Sequence, residues 1–182
     1  PQVITFPQPG DRSYGDVAFE SDASSDSGLA VTLTGLTPAV VTVSGDTITI
    51  VGAGTATVRA EQPGDASFAA ATPVERTFAV ARKDLSVTAD DQAREYGQAN
   101  PSLTLTYIGF VPGEDETVLD VLPGVATVAA GDSAPGDYPI ELSGGSDANY
   151  ALTLHNGTLT VTPATQTLTF PELSGRTYGD AP

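Results

Sequence analysis

The chain has 182 residues, with 7 Lys plus Arg against 23 Asp plus Glu, a net charge of −16, and no Cys, Met or Trp. That balance excludes nucleic acid and anionic membrane as partners, which need a basic patch, and the missing cysteine excludes a disulfide framework, a thiolate metal site and a cysteine nucleophile. No apolar run approaches the roughly 18 residues of a membrane helix, so no membrane insertion is expected, and with no signal peptide legible at its start the chain reads as an excerpt or mature segment.

In chain order, the first strong pattern is Thr47-Ile48-Thr49-Ile50, which puts isoleucines on one face and threonines on the other. Thr55–Ala60 repeats it with smaller residues. Asp90–Glu95 is too short for a stable helix and reads as a loop or a single turn. Leu103, Leu105 and Tyr107 alternate with threonines, and Gly113–Asp120 reads as one helical turn with acids at its N-terminal end. Tyr138, Ile140 and Leu142 form another alternating run. Tyr150, Leu152 and Leu154 lead through His155-Asn156-Gly157 to Leu159 and Val161, which predicts a hairpin closed by Asn-Gly. The lone His155 is then a turn residue, not part of a catalytic triad or metal cluster. Period-2 alternation means one buried and one wet face per strand. About seven short strands in each 80 or so residues predict an all-β, immunoglobulin-like sandwich.

The chain also repeats itself. Arg12-x-Tyr14-Gly15, Arg94-x-Tyr96-Gly97 and Arg176-x-Tyr178-Gly179 are spaced by 82 residues, twice. Asp65-Ala66-Ser67-Phe68 and Asp147-Ala148-Asn149-Tyr150 share that spacing, as do Gly54 and Gly136. Gln166–Pro171 echoes Gln2–Pro7 more closely than the middle copy does, so the first and third copies are of one kind and the middle copy of another. The expected organisation is two tandem immunoglobulin-like antiparallel sandwiches, 1–81 and 83–163, followed by the opening strand of a third repeat, 165–182.

Residues 52–58, Gly-Ala-Gly-Thr-Ala-Thr-Val, followed by 64–70, Gly-Asp-Ala-Ser-Phe-Ala-Ala, resemble a bacterial Ig-like domain. The second unit resembles the MBG ("mostly beta, glycine-rich") domain through Leu85–Asp90, Arg94-Glu95-Tyr96-Gly97, Asn100-Pro101, Gly109-Phe110, Gly113-Glu114-Asp115, Asn149-Tyr150 and Asn156–Val161. Both resemblances imply repeat units of large extracellular bacterial surface proteins, adhesins especially, and neither implies a catalytic residue or a cofactor.

The chemistry visible in the residues agrees. No Gly-rich stretch has phosphate-loop spacing with a Lys, and acidic residues are too numerous to single out an acid/base pair. The Arg-x-Tyr-Gly motif reads as structural: tyrosines at a core edge with hydroxyls on backbone partners, glycines in a turn, Arg12 and Arg94 against carboxylates. Calcium is the one ion carried forward, because hard oxygen ligands suit it. Its candidate ligands are Asp84, Asp90, Asp91 and Glu95 near the link, with Glu114–Glu116 and the loop between Asp132 and Asp137 as further acidic clusters, although none has the spacing of a calcium loop. The short links, 80–85 and 161–165, predict a semi-rigid rod. The expected partners are neighbouring repeats, and 165–182 is expected to add as an edge strand to the second unit or to a second copy. The expected function is an adhesin stalk spacer. The alternative is a glycan- or protein-binding module using loops such as 22–28 or 107–110.

Overall fold

Alternating apolar and threonine-rich runs become strands throughout the computed structural model, which describes residues 1–170 and Tyr178. The first half holds β1 (Ile4–Thr5), β2 (Arg12–Ser13), β3 (Phe19–Glu20), β4 (Ser24–Ser25), β5 (Thr32–Gly35), β6 (Val41–Ser44), β7 (Thr47–Ile50), β8 (Gly54–Glu61) and β9 (Val74–Ala81). The second holds β10 (Lys83–Ala89), β11 (Gln92–Glu95), β12 (Leu105–Ile108), β13 (Val121–Thr127), β14 (Gly136–Ser146), β15 (Tyr150–His155) and β16 (Gly157–Thr162), with a 3₁₀ turn at Glu116–Val118. The Asp115 carboxylate caps that turn by accepting the Thr117 N–H, as its acidic start predicts.

The ladders fall into two sets that never cross among the described residues. In the first, a β2-β9-β8-β5 sheet lies with a β3-β7-β6 sheet and a short β1-β4 pair. Their inward residues, including Phe6, Leu33, Val41, Ile48, Val58 and Phe78, make one core. In the second, β12-β10-β15 lies with β11-β16-β14-β13, and Leu105 and Leu142 join its two apolar clusters. The chain is all-β, as its alternation predicts.

Four expectations are corrected. The sheets are mixed, not purely antiparallel: β2 runs parallel to β9, β10 to β15, and β11 to β16. Residues 92–95, read as a loop or turn, are the strand β11, because a parallel neighbour supplies the hydrogen bonds that a short isolated segment lacks. Asn156-Gly157 closes no hairpin. β15 and β16 belong to different sheets, so the chain passes from one layer to the other there, and His155 ends a strand beside Thr88. Finally, residues 165–170 join no ladder of this chain and are exposed, so that stretch adds no edge strand to the second sandwich. The rest of that segment, Tyr178 apart, lies outside the described residues.

One hairpin escaped the sequence reading. β6 and β7 are closed by the two residues Gly45-Asp46, with Ser44 opposite Thr47. Gly45 has φ +60° and is the first central residue, the place where a type II′ turn needs glycine.

Candidate functional site

The repeat is visible in the fold. Tyr14 N–H donates to the Ala81 carbonyl (2.9 Å) and Tyr96 N–H to the Thr162 carbonyl (2.8 Å). Gly15 (φ +87°) and Gly97 (φ +84°) hold the same left-handed turn, as the motif predicts. The arginines do not behave as expected. Arg12 stacks on Phe19, 4.5 Å from the ring centroid. Arg94 is buried and donates to Asn100 Oδ1 (2.6 Å) and to the carbonyls of Glu95 and Ala130. Among the described residues neither pairs with a carboxylate: neutral acceptors take the Arg94 donors, and the Phe19 ring occupies the face of Arg12. The ion pair among the described residues is Arg59–Glu61. Arg176 and Gly179 lie outside the described residues, and the Tyr178 ring is exposed.

The chemistry-bearing side chains converge where the two sandwiches meet. β9 ends at Ala81 and β10 begins at Lys83, so Arg82 alone links them. Tyr14, carried on the turn after β2, packs against both cores. Its ring meets Tyr150 edge-on, with centroids 5.5 Å apart at 86°. Phe110 meets Tyr150 from another side at 5.3 Å and 82°. One carboxylate ties the rings together. Tyr14 Oη donates to Glu114 Oε1 (2.6 Å), and Tyr150 Oη donates to Glu114 Oε2 while accepting the Val111 N–H (2.8 Å). On the same face the Ala53 N–H donates to Asn149 Oδ1 (2.8 Å). Gly15 is also needed for proximity, since a Cβ there would lie 2.6 Å from Val111 Cγ2. The Asp147-Ala148-Asn149-Tyr150 turn is held by Asp147 Oδ1, which accepts the N–H groups of Asn149 (2.7 Å) and Tyr150 (2.8 Å).

This geometry sets a pH window. The hydrogen bond to Glu114, followed by burial, raises the Tyr14 phenol well above its usual value. Burial first, and Glu114 second, push Tyr150 up to about 12. An unfolded tyrosine ionises near pH 10. The junction's contribution is therefore complete below about pH 10 and lost as pH rises from about 10 to 12, because the unfolded chain releases those protons first. Stability measured by urea unfolding across that range should fall, and Tyr14→Phe combined with Tyr150→Phe should flatten the fall.

The calcium candidates are not brought together. Asp90 accepts the hydroxyls of Thr104 (2.6 Å) and Thr106 (2.6 Å), which hold its carboxyl below the usual range. Asp91 accepts the Thr158 N–H (2.7 Å), and Glu95 the Thr165 hydroxyl (3.3 Å). Asp84 stands exposed on β10. Among the described residues no three His, Asp or Glu side chains form a group able to hold a metal ion. The two loops named for the binding alternative are engaged within the fold: Asp26 accepts the Val3 N–H, Ser25 and Ser27 donate to Gln2, and Tyr107 packs on Phe110. No helix among the described residues is long and apolar enough to cross a membrane.

Sequence reasoning identified Tyr14 and Gly15 by repetition. It placed Glu114 only in an acidic loop and missed the latch, since the partners stand 100 residues apart. The one available signal was that Tyr-Gly recurs at the same place near the start of every unit.

Comparison with known proteins agrees with part of this. No curated protein matches the chain. A solved structure described as surface layer protein SbsC, domains 1–6, aligns over 91% of this chain and 28% of that one, at 13% identity and a TM-score of 0.29, too low to carry an argument. The chain thus spans little more than a quarter of that structure. Residues 85–160, the second sandwich without its edges, match the family described as MBG domain (YGX type).

Proposed function

We propose that the chain is a pair of structural repeats from an extracellular bacterial surface protein, serving in the stalk or fibre of an adhesin as a semi-rigid spacer. In this reading residues 1–81 are a bacterial Ig-like unit and 83–163 the MBG unit. The observation that carries it is the junction: a one-residue link backed by the Tyr14–Glu114–Tyr150 latch leaves little freedom to bend. The net charge of −16 keeps such units soluble and mutually repelling.

The chain has no cysteine, so Ser44→Cys with Ser143→Cys places one spin label on each sandwich. A single narrow distance distribution is expected. Tyr14→Phe with Glu114→Gln should broaden it and cost about 1 kcal/mol in the urea unfolding free energy, the worth of an ordinary hydrogen bond. A broad distribution in the otherwise unchanged chain would defeat the spacer reading.

A further inference from the structure

The face of the first sandwich that meets the second is rebuilt, one repeat later, at the far end of the second sandwich. Gly54 stands opposite Val80 in the β8–β9 ladder, and Gly136 stands opposite Val161 in the β14–β16 ladder. The two units therefore correspond in three dimensions, by a step of 82 residues from Gly54 to Gly136 and of 81 from Val80 to Val161: Tyr14 and Gly15 correspond to Tyr96 and Gly97, and Gly52 and Ala53 to Ala134 and Pro135. The surroundings differ. Tyr14 is covered by Tyr150, and Val111 lies against Gly15. Tyr96 is 45% exposed, and among the described residues nothing stands within 4 Å of a Cβ added at Gly97. Tyr96, Ala134, Pro135, Pro163 and Ala164 line one open concavity.

The first sandwich carries the complementary pole. Asp65 Oδ1 accepts the N–H groups of Ser67 (2.7 Å) and Phe68 (2.9 Å), the same turn that Asp147 builds for Asn149 and Tyr150. Phe68 is thus the counterpart of Tyr150, and its ring is 40% exposed. One hydrogen bond of the first junction cannot recur at the Tyr96 face, because Pro135 has no N–H to replace that of Ala53. Its acceptor changes in step: where the second sandwich has Asn149, the first has Ser67. A unit of the 83–163 kind would set its asparagine carbonyl against Pro135 without a donor. A unit of the 1–81 kind would not.

We infer that Tyr96, Gly97, Ala134 and Pro135 form a docking face for a sandwich of the 1–81 kind, whose Phe68-bearing pole meets Tyr96 as Tyr150 meets Tyr14. Gln166–Pro171, which echoes Gln2–Pro7, opens that unit in the sequence. The inference rests on the tandem-spacer reading and names the contact that would extend it from one junction to the next.

The test continues the full chain past Pro182 with a copy of residues 19–81, completing the third unit in register. Tyr96→Ala and Ala134→Arg are each made in the original and in the continued chain. Both positions are exposed in the original, so its Tm should move by no more than about 3 °C. In the continued chain each variant should lower the third unit's Tm by about 5 °C or more and strip amide protection from its Asp-Ala-Ser-Phe turn, while Tyr96→Phe, which keeps the ring, should retain most of both. Equal shifts in the two chains, no shift in either, or a third unit that stays unfolded beside two intact ones would overturn the inference. Failure of the spacer reading would register separately, as a broad label distance across the first junction.

Discussion

Tyr150→Ala is expected to cost about 3–5 kcal/mol, the range for truncating a buried aromatic ring. Tyr150 is 1% exposed, and its ring lies between Tyr14 and Phe110. Its hydroxyl also accepts the Val111 N–H and donates to Glu114, so truncation leaves both groups without that partner. A domain of this size has about 5–15 kcal/mol in total. The second sandwich should therefore lose on the order of 20 °C in Tm. The first should lose less, through Tyr14 alone. Tyr150→Phe keeps the ring and should cost only about 1–2 kcal/mol. Calorimetry resolving the two sandwiches checks this, and a loss below about 1 kcal/mol for the alanine variant would mean that the ring does not organise the junction.

Gly157→Ala is expected to destabilise by about 1–3 kcal/mol through overpacking. Gly157 does not have positive φ, so its backbone would accept alanine without strain. The obstacle is steric: an added Cβ would be driven against the Ala89 carbonyl oxygen of the opposite layer. Without that contact, exchanging a strand glycine for alanine should stabilise by about 0.5–1 kcal/mol. The sign of the change in urea unfolding free energy thus separates close approach from an ordinary strand position. Asn156→Gly supplies the companion measurement. A hairpin turn would tolerate it, whereas here it removes the acceptor of the Leu142 N–H (3.0 Å) and should cost about 1 kcal/mol.

These two sites also mark where the sequence was legible and where it was not. Alternation in Thr47–Ile50 was enough to bury Ile48 and Ile50, because period 2 follows from backbone geometry alone. The spacing of Tyr14, Tyr96 and Gly54 was enough to find the repeat. Asn156-Gly157 misled because the same dipeptide serves a turn or a tight crossing, and only the second layer distinguishes them. Gln92–Glu95 misled because its pairing comes from β16, far along the chain. The arginines misled because an acidic composition suggests carboxylate partners, whereas burial gave Arg94 carbonyls and an amide. The latch needed two tyrosines and a glutamate from three segments. No local pattern encodes that convergence.

The parallel pairs at the edges of each unit have a mechanical consequence. In the first sandwich β2, which follows the antiparallel β1–β4 pairing, lies parallel to the departing strand β9 over two residues, and in the second β10 and β11 lie parallel to β15 and β16 over six and four. Tension applied at the two ends of a unit pulls such neighbours past one another along their length. Several hydrogen bonds must then give way together, whereas a hairpin pulled at its open end unzips one bond at a time. The pairing that departs from a simple antiparallel sandwich is the one that loads each unit in shear.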